Sequence, residues 1–227
     1  MWRALVLALL LGGPVLGDEA SDRKARSIAV LRAQGVPVLP SLPMIEDKAT
    51  SHRRTSDEVA RRTIALAVIA VTGETLDADV SASLTDQFQA QGYFSPEERR
   101  FLGDLTADPQ DRINAAWRYE GVHVLLWALG IYDVIGRPDT ITDVPLLAST
   151  LRELGAGGLF AQGQLRSQAE LLDAADLMYR YHWAVMQARL DGVTAPAGLD
   201  PSVVQERRYA LEWLITNVAW DDVSTDT

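Results

Sequence analysis

Four titratable or charged side chains fall within about three turns of one predicted helix: Asp173, Asp176, Arg180 and His182. Carboxylates and imidazoles are the usual general acids and bases of enzymes, and they also bind polar ligands. Asp176 precedes Arg180 by one helical turn, in the order that favours an ion pair. The segment therefore predicts acid–base chemistry, ligand binding, or an ion pair that ties helices together.

Three further segments set charges among large aromatic rings: Trp117–Glu120, Glu206–Trp213 and Trp220–Asp222. Removing a lone charge from water is costly, so charges in apolar surroundings are usually paired or functional. We interpret these groups as either a structural network that joins three helices and the tail, or a polar pocket that binds a ligand. The candidate network or pocket comprises Arg118, Glu120, Asp173, Asp176, Arg180, His182, Glu206, Arg207, Asp221 and Asp222.

Arg207 gives the most specific prediction of this set. It shares a helical face with Ala210 and Leu214, so its side chain should point inward. A buried guanidinium needs a carboxylate partner. The carboxylates that could supply it are Glu120, Asp173, Asp176, Asp221 and Asp222. We expect the partner to come from the Asp173–Arg180 helix or from the Asp221–Asp222 tail.

The sequence gives little support for a metal site or for a nucleotide-binding loop. A di-iron bundle needs two Glu-x-x-His pairs, and the chain offers Glu120 with His123. The glycine-rich segment 155–163 follows a helix and lacks the lysine of a phosphate-binding loop. The chain has no cysteine, which excludes disulfides and thiolate ligands. We expect no metal and no cofactor.

The composition also limits the partners. The formal net charge is −10 at pH 7, which argues against nucleic-acid binding and against docking on anionic lipid. No apolar run reaches the roughly 20 residues that span a bilayer, so no stable membrane insertion of the mature chain is expected. An unknown protein or a small polar ligand is the expected partner.

Helical periodicity and helix-capping signals predict an all-α fold with six to eight helices in a single compact domain. N-cap signals occur at Ser95, Asp108, Asp143, Ser167 and Asp200, with Ser56 starting an earlier helix. We divide the chain into a signal peptide (1–17), an N-terminal helix with a proline-containing linker (18–52) and the helical domain (53–227). Residues 155–163 are expected to form a flexible connection.

The aromatic and charged segments also carry a family resemblance. Trp117–Glu120, Leu125–Gly130, Tyr179–Ala184, Glu206–Ile215 and the tail resemble, in order and spacing, the bacterial family called domain of unknown function 4272. The resemblance extends over roughly residues 23–227. It implies no particular activity, substrate or cofactor.

Two functions compete. The first is a non-catalytic helical binding or interaction module of the cell envelope, held together by the charge–aromatic network. The alternative is a hydrolase that uses His182 with Asp173, Asp176 or Glu206 as acid and base. An open pocket where these groups converge would favour the hydrolase, and a buried, fully paired network would favour the binding module.

The first 17 residues predict export. Arg3 precedes the apolar run 4–11, and Val15 and Gly17 supply small residues before a cleavage site. We expect a secreted or periplasmic mature protein that starts near Asp18. N-terminal sequencing of protein from the native host tests this, and recovery of intact Met1 from the cytoplasm would contradict it.

Overall fold

A computed structural model describes residues 19–106 and 108–226, and these residues form eight α-helices and two short 3-10 turns, without a strand. The predicted all-α class and helix number are confirmed. The predicted signal peptide, residues 1–17, lies outside the described residues. The helices are α1 (Glu19–Ala33), α2 (Ser56–Thr75), α3 (Ala78–Gln87), α4 (Pro96–Gly103), α5 (Pro109–Ala128), α6 (Val144–Gln162), α7 (Gln168–Leu190) and α8 (Pro201–Ile215).

Side-chain caps define where the helices start. Ser95 and Ser167 form capping boxes with the glutamates three residues further on. Asp108, Asp143 and Asp200 accept hydrogen bonds from the first backbone N–H groups of their helices. These five caps agree with the sequence prediction. Before α2, Ser56 is the first helical residue, and its neighbour Thr55 is the cap.

Residues 155–163 differ from the predicted flexible connection. α6 continues to Gln162, and its helical geometry is interrupted at Gly155, where φ is 59° and ψ is 179°. The helix resumes beyond this kink, and Leu159 is buried in the core. Burial of that side chain stabilises the second half of α6 although the segment is rich in glycine.

The helix α2 is the centre of the packing. It is apolar on most of its faces, as a helix with neighbours on several sides must be. It packs against α5 along its length and also contacts α3, α4 and α6, while α5 packs on α8, α8 on α7 and α7 on α1. No helix within residues 19–106 and 108–226 is long and apolar enough to cross a membrane.

The closest approach of α2 and α5 occurs at Gly73. A Cβ atom at this position would lie 2.6 Å from the backbone nitrogen of Ala116 and 2.7 Å from the Cβ of Ala115. We predict that Gly73→Ala lowers the free energy of unfolding by about 1–3 kcal/mol, because the two helices must separate. Gly92→Ala is the matched control, since no atom lies within 4 Å of its added Cβ. Urea denaturation measures both variants, and equal stabilities would contradict the close packing.

Candidate functional site

Arg207 and Glu120 form a buried ion pair between α8 and α5. The guanidinium Nε lies 2.8 Å from Glu120 Oε2, and the side chains are 3% and 2% exposed. Two further guanidinium nitrogens donate to the carbonyl oxygens of Ile135 and Thr140, at 2.9 and 3.2 Å. Glu120 Oε1 accepts a hydrogen bond from the backbone N–H of Thr142 at 2.6 Å. The pair is satisfied by protein groups, and it holds the loop between α5 and α6.

This arrangement corrects one prediction. Arg207 points inward as expected, but its carboxylate partner is Glu120 on α5. The expectation of an acid from the Asp173–Arg180 helix or the Asp221–Asp222 tail was wrong. The reason is the order of packing: α5 and α8 lie side by side, which brings Glu120 to the inner face of α8.

His123 holds the same loop from the next turn of α5. Its Nε2 lies 3.1 Å from the carbonyl oxygen of Ile135, and its Nδ1 lies 3.1 Å from Thr142 Oγ1. A carbonyl oxygen can only accept, so we assign the proton to Nε2. In the described part of the chain, no three His, Asp or Glu side chains come together as metal ligands would. Glu120 and His123 are both engaged in holding the loop.

Asp176 and Arg180 pair with each other on α7, as their spacing predicts. Arg180 Nε and one terminal nitrogen bind the two carboxylate oxygens at 2.9 and 2.7 Å. Arg180 also donates to the carbonyl oxygen of Pro43 at 3.3 Å, which fastens the proline-containing segment to α7. Asp173, one turn earlier, lies at the surface and pairs with Arg26 of α1 at 2.6 Å. Asp176 is therefore paired within α7, whereas Asp173 connects α7 to α1.

An aromatic cluster joins the tail to the helices. Trp220 packs edge-on against Tyr209 and Trp213, with ring centroids 4.9 and 5.8 Å away. The guanidinium carbons of Arg62 and Arg118 lie 5.0 and 5.8 Å from the Trp220 ring, within the range of cation–π attraction. Two arginines and two aromatic rings therefore surround Trp220, while other arginines lie over the rings of Trp127, Tyr179 and Trp213.

The two tail aspartates that follow Trp220 have separate surroundings. Asp221 accepts a hydrogen bond at 2.9 Å from the backbone N–H of Glu97, in the first turn of α4. A carboxylate is favoured there by the helix dipole. Asp222 is exposed and borders a surface depression beside Trp220. Neither aspartate reaches Arg207.

A cleft of about 650 Å³ opens between α5, α7 and α8. Among the sequence-predicted candidates, His182 and Glu206 line it. Glu206 pairs with Arg118 at 2.9 Å. Burial raises the pKa of Glu206 above its ordinary value, and Arg118 opposes that rise. The other lining side chains include apolar Trp117, Val185 and Met186 and polar Gln110, Asn114, Arg189, Ser202 and Gln205.

His182 is the most buried polar group of this cleft, with 3% of the residue exposed. Its Nε2 lies 2.7 Å from Gln205 Oε1, and Gln205 Nε2 donates to Thr225 Oγ1 at 2.7 Å. The amide oxygen accepts, so His182 Nε2 carries the proton and Nδ1 is an acceptor. Nδ1 is buried and has no hydrogen-bond partner. Burial lowers the pKa of His182, so the ring is neutral at pH 7.

Sequence analysis missed Gln205, which orients His182. Ser202, Gln205 and Glu206 recur at the spacing of one helical face, and this polar stripe was a signal that could have found it. It also missed Arg54 and Arg166. Arg54 donates to the carbonyls of residues 213, 216 and 218, and Arg166 to those of residues 127, 132 and 133. No local motif identifies such long-range contacts to helix ends.

The family model described as Domain of unknown function (DUF4272) matches residues 23–223. No curated protein and no solved structure matches the chain.

The Arg207–Glu120 pair predicts a large effect on stability. Arg207→Ala should lower the free energy of unfolding by about 3–5 kcal/mol, because Glu120 is left charged and buried. Arg26→Ala is the matched control, since Arg26 is 58% exposed and its pair with Asp173 lies at the surface. Exposed pairs contribute about 0–1 kcal/mol. Similar losses in both variants, measured by chemical denaturation, would contradict the structural role of Arg207.

His123 predicts a dependence of stability on pH. Burial, and then repulsion by Arg207, lowers the pKa of His123 to about 4. In the unfolded chain histidine titrates near pH 6.5, so below that pH the unfolded state binds more protons and the folded state loses stability. His123 should contribute a loss of about 1.4 kcal/mol per pH unit as the pH falls from about 6.5 to about 4.

The variant His123→Gln isolates this contribution, because glutamine keeps a donor and an acceptor but does not titrate in this range. We expect its free energy of unfolding to fall less steeply between pH 6.5 and pH 4.5 than that of the wild type. The comparison removes the effect of carboxylates common to both proteins. Identical slopes for the two proteins would show that His123 is not held neutral.

Proposed function

We propose that this chain, which belongs to the DUF4272 family, is a non-catalytic helical module that binds a small polar ligand in the cleft between α5, α7 and α8. The observation that carries the proposal is His182, whose Nδ1 has no protein partner at the wall of this cleft. Buried side-chain nitrogens without a hydrogen-bond partner also occur in the described residues at Arg23, Arg62, Arg180 and Arg208, but His182 is the one of the five that lines this cleft. A ligand atom would satisfy it there. Glu120, Asp176 and Arg207, in contrast, have their side-chain polar atoms paired with protein groups.

The cleft defines the chemistry of the ligand. Nδ1 of neutral His182 accepts a hydrogen bond, so the ligand should bring a hydroxyl or N–H donor close to it. Glu206, with one oxygen on Arg118, can accept a second bond. Trp117 offers a partly exposed aromatic face for an apolar ring or sugar face.

A polyhydroxylated ring, such as a sugar, combines these features. The hydroxyl groups would donate to His182 and Glu206, while the amides of Gln110 and Asn114 could act as donors or acceptors. The volume of about 650 Å³ lies within the range of small-molecule sites. The signal peptide predicted from the sequence supports a location of this binding function in the cell envelope, which is part of the proposal.

A titration with a panel of monosaccharides and amino sugars tests the proposal. We expect at least one to shift the imidazole nitrogen NMR signals of His182, because a donor to Nδ1 changes its electronic environment. Trp117→Ala and Glu206→Gln should weaken that ligand at least about tenfold, since a lost hydrogen bond to a charged group costs about 1.5–3 kcal/mol.

Two control variants separate binding from folding. Trp117→Phe keeps an aromatic face and should retain most of the affinity, and His52→Gln changes a histidine that does not line the cleft. Thermal melting of all variants identifies any that fail to fold. Binding that persists unchanged in folded Trp117→Ala and Glu206→Gln would refute the cleft as the site, and no response to the panel would refute the ligand class.

A hydrolase is the second candidate, favoured by one observation. Burial raises the pKa of Glu206 and lowers that of His182, and paired shifts of this kind occur at acid–base sites. Asp173 and Asp176, the other predicted acids, do not line the cleft. Turnover of a bound glycoside or ester that is lost in both Glu206→Gln and His182→Gln would replace the binding module with this alternative.

A further inference from the structure

A second cavity, of about 290 Å³, lies between α2, α3 and α6 and shares no lining residue with the cleft. Its walls are aliphatic and aromatic side chains, among them Val68 and Val71 of α2, Leu84 of α3, Phe88 directly after α3, and Leu151 of α6. Water inside it would find few hydrogen-bond partners, and apolar cavities of this kind bind apolar ligands.

Two residues of the lining carry polar side chains. Gln87 of α3 and Arg152 of α6 belong to its lining, and both are exposed at the surface. No carboxylate within residues 19–106 and 108–226 pairs with Arg152, although most arginines that border the core do have an acid or carbonyl partner. An exposed guanidinium beside an apolar cavity is complementary to a carboxylate that carries an apolar tail.

We infer that this cavity binds a linear aliphatic carboxylate, a fatty acid of medium chain length, with its carboxylate on Arg152 and its chain between α2, α3 and α6. The volume selects the chain length, because about 290 Å³ lies at the lower limit of small-molecule sites. A branched or aromatic ligand would have to displace the β-branched side chains of α2. The inference is independent of the cleft and of its proposed ligand.

The chain length of the ligand supplies the first test. Isothermal titration with hexanoate, octanoate, decanoate and dodecanoate, each below its micellar concentration, should show affinity rising about fourfold for each added methylene. The rise should stop once the cavity is full. Absence of binding, or a rise that continues without limit as for adsorption on an exposed surface, would overturn the inference.

Two kinds of variant locate the ligand. Arg152→Gln should weaken decanoate about tenfold and leave decanol unchanged, because the alcohol lacks the charge that Arg152 recognises. Arg152→Lys should retain part of the affinity for decanoate, and Arg32→Gln, an exposed arginine of α1, should retain all of it. Equal weakening of decanoate and decanol by Arg152→Gln would overturn the assigned orientation.

Filling the cavity with a larger side chain tests where the aliphatic chain of the ligand lies. Ala67→Phe, from α2, and Val80→Phe, from α3, each add an aromatic ring at a residue that lines this cavity. Each should abolish binding of decanoate and of decanol, and circular dichroism checks the fold. Because α3 is the more exposed wall, Val80→Phe keeps the test valid if Ala67→Phe does not fold. Undiminished binding in a folded variant would overturn the inference.

Discussion

The rest of the structure depends on the buried contact between Arg207 and Glu120. A charge that leaves water must find partners that replace its hydration, and here these partners are one carboxylate and backbone carbonyls of the loop that follows α5. The contact fixes α8 against α5 and orders residues 135–142. Because α5 and α8 form two walls of the cleft, this pair also sets the shape of the proposed ligand site.

Arginines repeat this role elsewhere in the chain. Arg54 donates to carbonyls at the end of α8, Arg166 to the end of α5 and Arg180 to the proline-containing segment. The last carbonyls of a helix have no partner within the helix, and a planar guanidinium can bind several of them at once. Long-range contacts of this kind stabilise the domain without cysteine, in a chain with 21 basic residues.

The local features of the fold could be predicted from the sequence, but contacts between residues far apart in the chain could not. The caps at Ser95 and Asp200 can be recognised from the cap residue and the residues that follow it in the sequence. The inward direction of Arg207 follows from helical periodicity. The partner of Arg207 depends on which helices are neighbours, which periodicity does not encode. The helical continuation beyond Gly155 depends on burial of Leu159, and the role of Gln205 depends on the approach of α7 to α8. Each of these is a tertiary effect that overrides or completes a local signal.

The central claim is that Glu120 and Arg207 act as one unit inside the protein. A double-mutant cycle with Glu120→Gln, Arg207→Met and the double variant measures their coupling in the free energy of unfolding. Our account predicts a coupling of about 2 kcal/mol or more, because each single variant strands a buried group and the double variant strands neither charge. Additive losses, with a coupling near zero, would show that the two side chains are stabilised independently and would contradict the account.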